Sequence, residues 1–312
     1  MRGPRDSDNT GRPIELIGVP FDGMGRQGAQ ARAPAALRSA GLETAIPAPV
    51  IAPGDLPVPA PVPTRSEPWG FLNQAALLAM ISALHKRVAG AVAAGRFPLI
   101  YGADCAVLLA AVPALRAVTG TAGLVFADGH EDATPLELSR SGEAANMEIA
   151  LLLGLTGAPL PAELRDSLPA LEPGAIAMLG PRDEPYRADL SIPTVADRIW
   201  LRTSEQVSAA HAGTTRQAVE RVARHAGRWW LHTDLDVLAR SEFAACGAPG
   251  EPALAGGLNW LQLTEVVSEA LGAGGCCGWS VSVYNPELDP GDRAAARIVQ
   301  LVADAFRGSG FR

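Results

Sequence analysis

In "VFADGHEDATP" (residues 125–135) an apolar run ends, and Asp128, His130, Glu131 and Asp132 follow within five residues. A second apolar run, "RWWLHTDLDVL", ends in Asp234 and Asp236. A third, "FPLIYGADC", ends in a glycine turn and Cys105. Residues two apart in an extended segment point to the same face. Asp128 and His130 can therefore share a metal ion, as can Asp234 and Asp236. Clustered carboxylates repel one another, and without a counter-charge some are forced neutral with raised pKa. One or two divalent cations remove that conflict. Mixed carboxylate and imidazole ligands favour Mn²⁺ or a similar ion over Ca²⁺ or Mg²⁺. The expected centre is Asp128, His130, Asp132, Asp234 and Asp236, with Cys105 as a further donor.

Such a centre requires the three strand tips to lie on one edge of a sheet. The pattern along the chain predicts this. Continuous apolar runs at residues 14–20, 97–104, 122–128, 174–183, 191–195, 228–238 and 276–286 read as strands. Between them, residues 33–42, 71–94, 106–118, 143–155, 203–225 and 292–306 read as helices, with a further helix after Asn259, a good cap. Alternation of this kind implies parallel βαβ units with right-handed crossovers, and fully apolar strands imply helices on both sheet faces. Ligands in such folds bind beyond the carboxyl ends of the strands, where these acids fall. Residues 47–68 carry eight prolines and read as an extended surface loop.

The length of 312 residues suits one large α/β domain, and no composition break suggests a boundary. The reading is a polar, disordered N-terminal arm over residues 1–13 and one catalytic domain over 14–312. Net charge is −7 with no Lys/Arg cluster, which argues against nucleic-acid or anionic-membrane partners. The N-terminus lacks the apolar segment of a secretory signal. In the most apolar stretch, residues 74–95, His85, Lys86 and Arg87 interrupt too early for a membrane span. The four cysteines form no C-x-x-C pair, so a reduced, cytoplasmic protein is expected.

Taken together and in order, these motifs resemble the ureohydrolase family of arginases, agmatinases, guanidinobutyrases and formimidoylglutamases. The resemblance covers residues 16–306. "IGVPFDGMGRQGAQARAPAALRSAGL" is similar to the family's opening strand, turn and helix, and "YGADC" stands where the family has G-G-D-H. "DGHED" resembles its D-A-H-x-D, "HTDLDVL" its D-x-D strand end, "AGGLNW" its G-G-L turn and "VYNPELDP" its late N-P segment. The resemblance implies a single-domain, three-layer α/β fold with a mostly parallel sheet, two Mn²⁺ ions, and a homo-oligomer, trimer or hexamer. It implies that Asp128 and Asp234 bridge the ions, that Cys105 and Asp132 complete one site, and that His130 and Asp236 complete the other. A metal-bound hydroxide would attack a guanidinium carbon, and Asp132 would pass a proton to the leaving amine.

Four departures bear on function. Cys105 replaces a metal-binding histidine and favours Zn²⁺ or Co²⁺ at its site. Ala145 falls near a histidine that arginases use, Val283 replaces a guanidinium-pairing glutamate, and Ala239 and Arg240 replace a D-P pair. The metal acids survive while the arginine-reading residues do not. The expectation is an amidinohydrolase for a substituted guanidine, such as an N-hydroxyguanidine, releasing urea or a substituted urea. Glu131, Glu143 and Glu251 are candidates to face its cationic end, and Arg182 and Asp183 to read its tail. The rival readings are an arginase-like pseudoenzyme or non-catalytic subunit, and a one-metal amidase-like hydrolase.

Overall fold

The structure is a computed structural model that describes residues 11–24, 29–65, 70–247 and 254–311. Glu251 and residues 1–10 of the expected arm lie outside the described residues. Arg12 is already tied in: its guanidinium donates to the carbonyls of Gly95, Arg96 and Cys276 and lies over the Phe97 ring.

Eight strands form one sheet: β1 (Ile14–Gly18), β2 (Val50–Ile51), β3 (Phe97–Tyr101), β4 (Gly123–Ala127), β5 (Ile176–Gly180), β6 (Trp200–Thr203), β7 (Trp229–Asp234) and β8 (Cys276–Ser282). All pairings are parallel, in the order β2-β1-β3-β8-β7-β4-β5-β6. Successive strand residues feed opposite cores, because side chains alternate across a pleated strand. Val125 and Ala127 enter one core with the helices Ser204–His225, Trp260–Gly272 and Arg293–Gly308. Leu124 and Phe126 enter the other with the helices Gln74–Ala93 and Leu108–Thr119. The result is the expected three-layer α/β architecture.

Three local readings differ from expectation. Residues 191–195 form no strand. Ser191 takes a left-handed φ of 55° and Pro193 follows, so the chain turns there and the edge strand is instead "WLRT", β6. The expected helix over residues 143–155 shrinks to Glu148–Leu153, because Ala144–Asn146 winds as a 3₁₀ turn. Within the proline-rich loop, Val50 and Ile51 pair with Ile14 and Glu15 as a two-residue edge strand. The helix Gln74–Ala93 is long and apolar enough in composition to cross a bilayer despite its basic residues. Here it packs through Leu77, Met80, Leu84 and Val88 onto the sheet-side core.

Asn259 caps the helix Trp260–Gly272 as the sequence predicts, in a reciprocal box with Gln262. Gly278 of β8 is required for a different reason. A Cβ at that position would fall within the Trp230 ring, which is fully buried on β7. Gly278→Ala is therefore expected to cost about 1–3 kcal/mol through overpacking. Equilibrium urea denaturation checks it, and an unchanged midpoint would show that the Trp230 ring is free to move.

Candidate metal centre and cleft

The strand order reverses between β3 and β4. The chain leaves β3, passes over the positions later filled by β8 and β7, and enters β4. Crevices open at such switch points, beyond the carboxyl ends of the strands. Register then fixes which side chains meet. Ala127 lies opposite Thr233 and Asp234 opposite Ser282, so Asp128 and Asp234, one step further along, come out side by side. The tip of β3 arrives from the far side of β8 and carries Cys105.

Each tip uses the same small device. Asp128 Oδ1 accepts from the His130 N–H at 2.7 Å, and Asp234 Oδ1 accepts from the Asp236 N–H at 2.7 Å. Asp104 Oδ1 likewise accepts from Ala106, and Asn285 Oδ1 from Glu287, beyond β8. These Asx turns end the strands and spend one aspartate oxygen on the backbone. The second oxygens of Asp128 and Asp234 stay free to face the centre. Asp234 Oδ2 lies 2.9 Å from Cys105 Sγ, and Asp128 Oδ2 lies 3.8 Å from it. Ala103, Asp132 and Val283 all hold left-handed φ values, 58°, 45° and 67°, around the same tips. For the β-branched Val283 this is a strained conformation that the surrounding fold imposes.

Three groups have donor atoms within 4.8 Å of one another: Asp128, His130 and Asp236; Cys105, Asp132 and Glu148; and Cys105, Asp128 and His232. His130 Nδ1 sits 2.9 Å from Asp236 Oδ2 and 3.7 Å from Asp128 Oδ1. The structure thus brings together all six ligands expected from the sequence, in a donor set of carboxylate, imidazole and thiol suited to divalent transition metals.

The electrostatics make the same point. Burial, reinforced by Asp236, pushes Asp128 up to about 7. Burial and neighbouring acids push Asp132 and Asp234 well above the ordinary carboxylate range, and burial does the same to Glu148. Burial with Asp234 and Asp128 nearby pushes the Cys105 thiol up as well. Asp236 resists its burial because His130 and Arg182 stand beside it, and it is held at about 2. Burial disfavours charge on His130 too, but Asp236 and Asp128 raise it well above the usual imidazole value. Neither oxygen of Glu148 receives a hydrogen bond from a donor; its neighbour is a second acid, Asp132. Buried carboxyls with no donor are costly, and cations are the counter-charge that fits them.

A cleft of about 480 Å³ opens over this floor, lined in part by Cys105, His130, Asp132, Asp234 and Asp236. Glu143, Asp183, Arg182, Ala145, Arg240 and Val283 also line it. Glu143 accepts from Asn146 Nδ2 at 3.0 Å and stays at the cleft wall. Arg182 is committed elsewhere: its Nη2 donates to the carbonyls of Asp236 and Leu238, clamping the turn that presents Asp236. Asp183 accepts from the Glu131 N–H and from Arg187 Nε, bracing the "DGHED" loop. Glu131 points away from the metal ligands. Its carboxylate meets Arg187 Nη2 at 2.8 Å, Thr194 Oγ1 at 2.8 Å and the Val195 N–H at 2.7 Å, beside a neighbouring cleft.

Two buried residues at the centre were not singled out from the sequence. Glu148 lies on the short helix Glu148–Leu153, and nothing in "NMEIA" marks it. His232 lies two residues before Asp234, so strand alternation alone put it on the ligand face.

The family model described as "Arginase family" matches residues 12–307. Arginase of Bacillus caldovelox is 27% identical over 306 residues, covering 95% of this chain and 98% of that protein. Among solved structures, an arginase from Bacillus cereus superposes with a TM-score of 0.80 at 22% identity, covering 95% of this chain and 98% of the other. Proclavaminate amidino hydrolase from Streptomyces clavuligerus superposes at 0.68 with 18% identity, covering 96% and 92%. At these identities the structural likeness speaks for the fold.

Two measurements test the centre. Asp128→Asn and Asp234→Asn should each lose most bound divalent metal; elemental analysis showing full occupancy in both would reject the centre. The second is pH dependence. Folded Asp128 keeps its proton up to about 7, whereas an unfolded aspartate releases it near 3.8. Between those values the folded state binds more protons, so stability of the metal-free protein should fall as pH rises. His130, raised in the fold, adds stability below its unfolded pKa that is lost as pH rises through its folded value, in the same direction. Divalent metal should reverse the trend, adding about 2.7 kcal/mol at a hundredfold excess over Kd. Thermal melts from pH 4 to 8 with chelator and with metal, in about unit steps, would show it; parallel curves would reject it.

Proposed function

Because the chain belongs to the arginase family, whose members hydrolyse C–N bonds in linear amidines, we propose that it is a metal-dependent amidinohydrolase for a substituted guanidine, such as an N-hydroxyguanidine, rather than for free arginine. The observation that carries this reading is a contrast within one cleft. Its floor gathers the buried and half-buried donor triplets, while Val283 and Ala145 give its wall two uncharged positions beside them. Val283 is buried and its backbone N–H is held by the Ala103 carbonyl, so its apolar side chain is fixed at the cleft wall. At those two positions the wall offers a guanidinium no carboxylate, which disfavours a plain arginine side chain. A substituent that alters the reacting guanidine can supply its own contacts.

Asp128, His130, Asp132, Asp234, Asp236 and Cys105 would hold the metal ions, two in number, with Mn²⁺ as the expected species and Zn²⁺ or Co²⁺ favoured near Cys105. When bound, such ions activate water and polarise the guanidine carbon. The chain's own residues do the rest. Asp132 faces both the cleft and Glu148, a second buried carboxyl. From that position Asp132 would pass a proton to the departing nitrogen. Asp128 and Asp234 keep their orientation through the Asx turns, and Arg182 keeps the Asp236 turn from shifting. Four buried, unpaired cysteines support a reducing, cytoplasmic setting, and a homo-oligomeric assembly is part of the same proposal.

Purified protein loaded with Mn²⁺ and offered a panel of guanidino compounds should release urea or a substituted urea from an N-hydroxyguanidine with much higher kcat/KM than from arginine. Arginine turnover at the higher rate would overturn the specificity, and no turnover of any guanidine or amidine with metal bound would favour a non-catalytic subunit. Asp132→Asn, assayed with metal in saturating excess because Asp132 is also a proposed ligand, should lower kcat by about 10²–10⁴-fold. Val283→Glu should shift the ratio of rates toward arginine.

A further inference from the structure

His232 is fully buried on β7, between β4 and β8. Its ring stacks on Phe126 at 5.3 Å between centroids and 11° between planes. Nδ1 lies 2.6 Å from Ser280 Oγ, and that same oxygen accepts from Trp230 Nε1 at 3.0 Å. The far nitrogen, Nε2, points at Cys105 Sγ from 3.3 Å, and the two form a group of ligating size with Asp128. A buried imidazole with one nitrogen anchored and the other aimed at a thiol and a carboxylate has the arrangement of a metal ligand.

Building on the metal-centre reading above, we propose that His232 Nε2 ligates the deeper of the two ions, which it binds together with Cys105 Sγ and Asp128. Sequence matching suggests that Cys105 stands in for an imidazole at the tip of β3; on this proposal the imidazole is supplied instead from β7. The geometry supports it. Metal bonds of about 2.0–2.1 Å to imidazole and about 2.3 Å to thiolate, spread tetrahedrally, separate nitrogen and sulfur by about 3.5 Å. The observed 3.3 Å lies close to that edge, and the 3.8 Å from Cys105 Sγ to Asp128 Oδ2 brackets it from above. Ligation through Nε2 requires the proton on Nδ1, and Ser280 Oγ is in place to accept it while also accepting from Trp230. The Phe126 ring fixes the remaining rotation. A sulfur–nitrogen–oxygen set is softer than the carboxylate and imidazole set at His130 and Asp236, so the two positions should differ in the ion they prefer, with Zn²⁺ or Co²⁺ held more tightly at depth.

The test uses the full chain titrated with Co²⁺ to one equivalent. X-ray absorption fine structure should show one sulfur and imidazole scattering in the same shell, beside a thiolate-to-cobalt charge-transfer band. His130→Gln removes the other imidazole near the centre, and both signals should survive in it. In His232→Gln the imidazole signal should vanish and Co²⁺ affinity fall by at least about tenfold. Sulfur without imidazole in His130→Gln, or a shell of oxygens alone, would overturn this inference and leave the metal centre standing. No Co²⁺ bound by the unaltered chain would overturn the metal centre itself. The His130→Gln spectrum decides the matter even if His232→Gln does not fold.

Discussion

Acids that are buried side by side must be neutralised, and at this sheet edge Asp128, Asp132, Asp234 and Glu148 are all buried together. Carboxylates withdrawn from water stay ionised only against a counter-charge or several donors. The described arginines nearest the centre, Arg182 and Arg187, do not pair with these acids. Arg182 bonds to main-chain carbonyls behind Asp236, and Arg187 bonds to Glu131 and Asp183 in the loop beside the ligands. Both cations brace the loops that present the acids and leave the acids' own oxygens open. His130 sits within the donor set, and it settles Asp236 rather than the deeper carboxyls. The negative charge left over is the kind that a cation would offset.

That arrangement depends on topology. The ligands run from residue 105 to residue 236, and they meet because β7 and β8 are inserted between β3 and β4 after the sheet has grown outward to β6. Such insertion joins strands far apart in the chain, which delays their contact during folding. In exchange it opens a crevice at the switch point with four strand tips on its rim. The same Asx turn ends β4, β7 and β8 and caps the turn after β3, and at β4 and β7 it leaves the second oxygens of Asp128 and Asp234 beside Cys105. Strained backbone collects there too, at Ala103, Asp132 and Val283, where the tips must bend sharply to clear one another.

The donor side chains and the walls of this cleft come from different segments. The floor follows the tips of β3, β4 and β7. The walls, from Glu143 to Asn146 and from Val283 to Arg240, belong to turns and 3₁₀ segments. Walls of that kind change their residues without disturbing the ligands below, and a fold of this family can therefore keep its metal acids while altering what they act upon.

Much of this was written in the sequence. Alternating apolar runs dictated a parallel sheet with helices on both faces, because a strand buried on both sides has no polar face to show. The acids at strand ends pointed to a cation site, because like charges so spaced need a counter-charge, and the fold brings those acids together. Asn259 announced its helix cap through local bonding alone. Other features depended on contacts between distant segments. Which strand formed the far edge turned on a left-handed turn at Ser191 that leaves "WLRT", not residues 191–195, beside β5. Glu131 shares a pentapeptide with two ligands, yet it turns outward to Arg187, because a loop's side chains follow tertiary partners rather than spacing. Glu148 became part of the centre only when its helix packed against Asp132, and His232 only when β3 delivered Cys105 to within 3.3 Å of it. Spacing along a chain sets the direction of a side chain on its own strand; what it meets there is set by strand order and register, which are long-range.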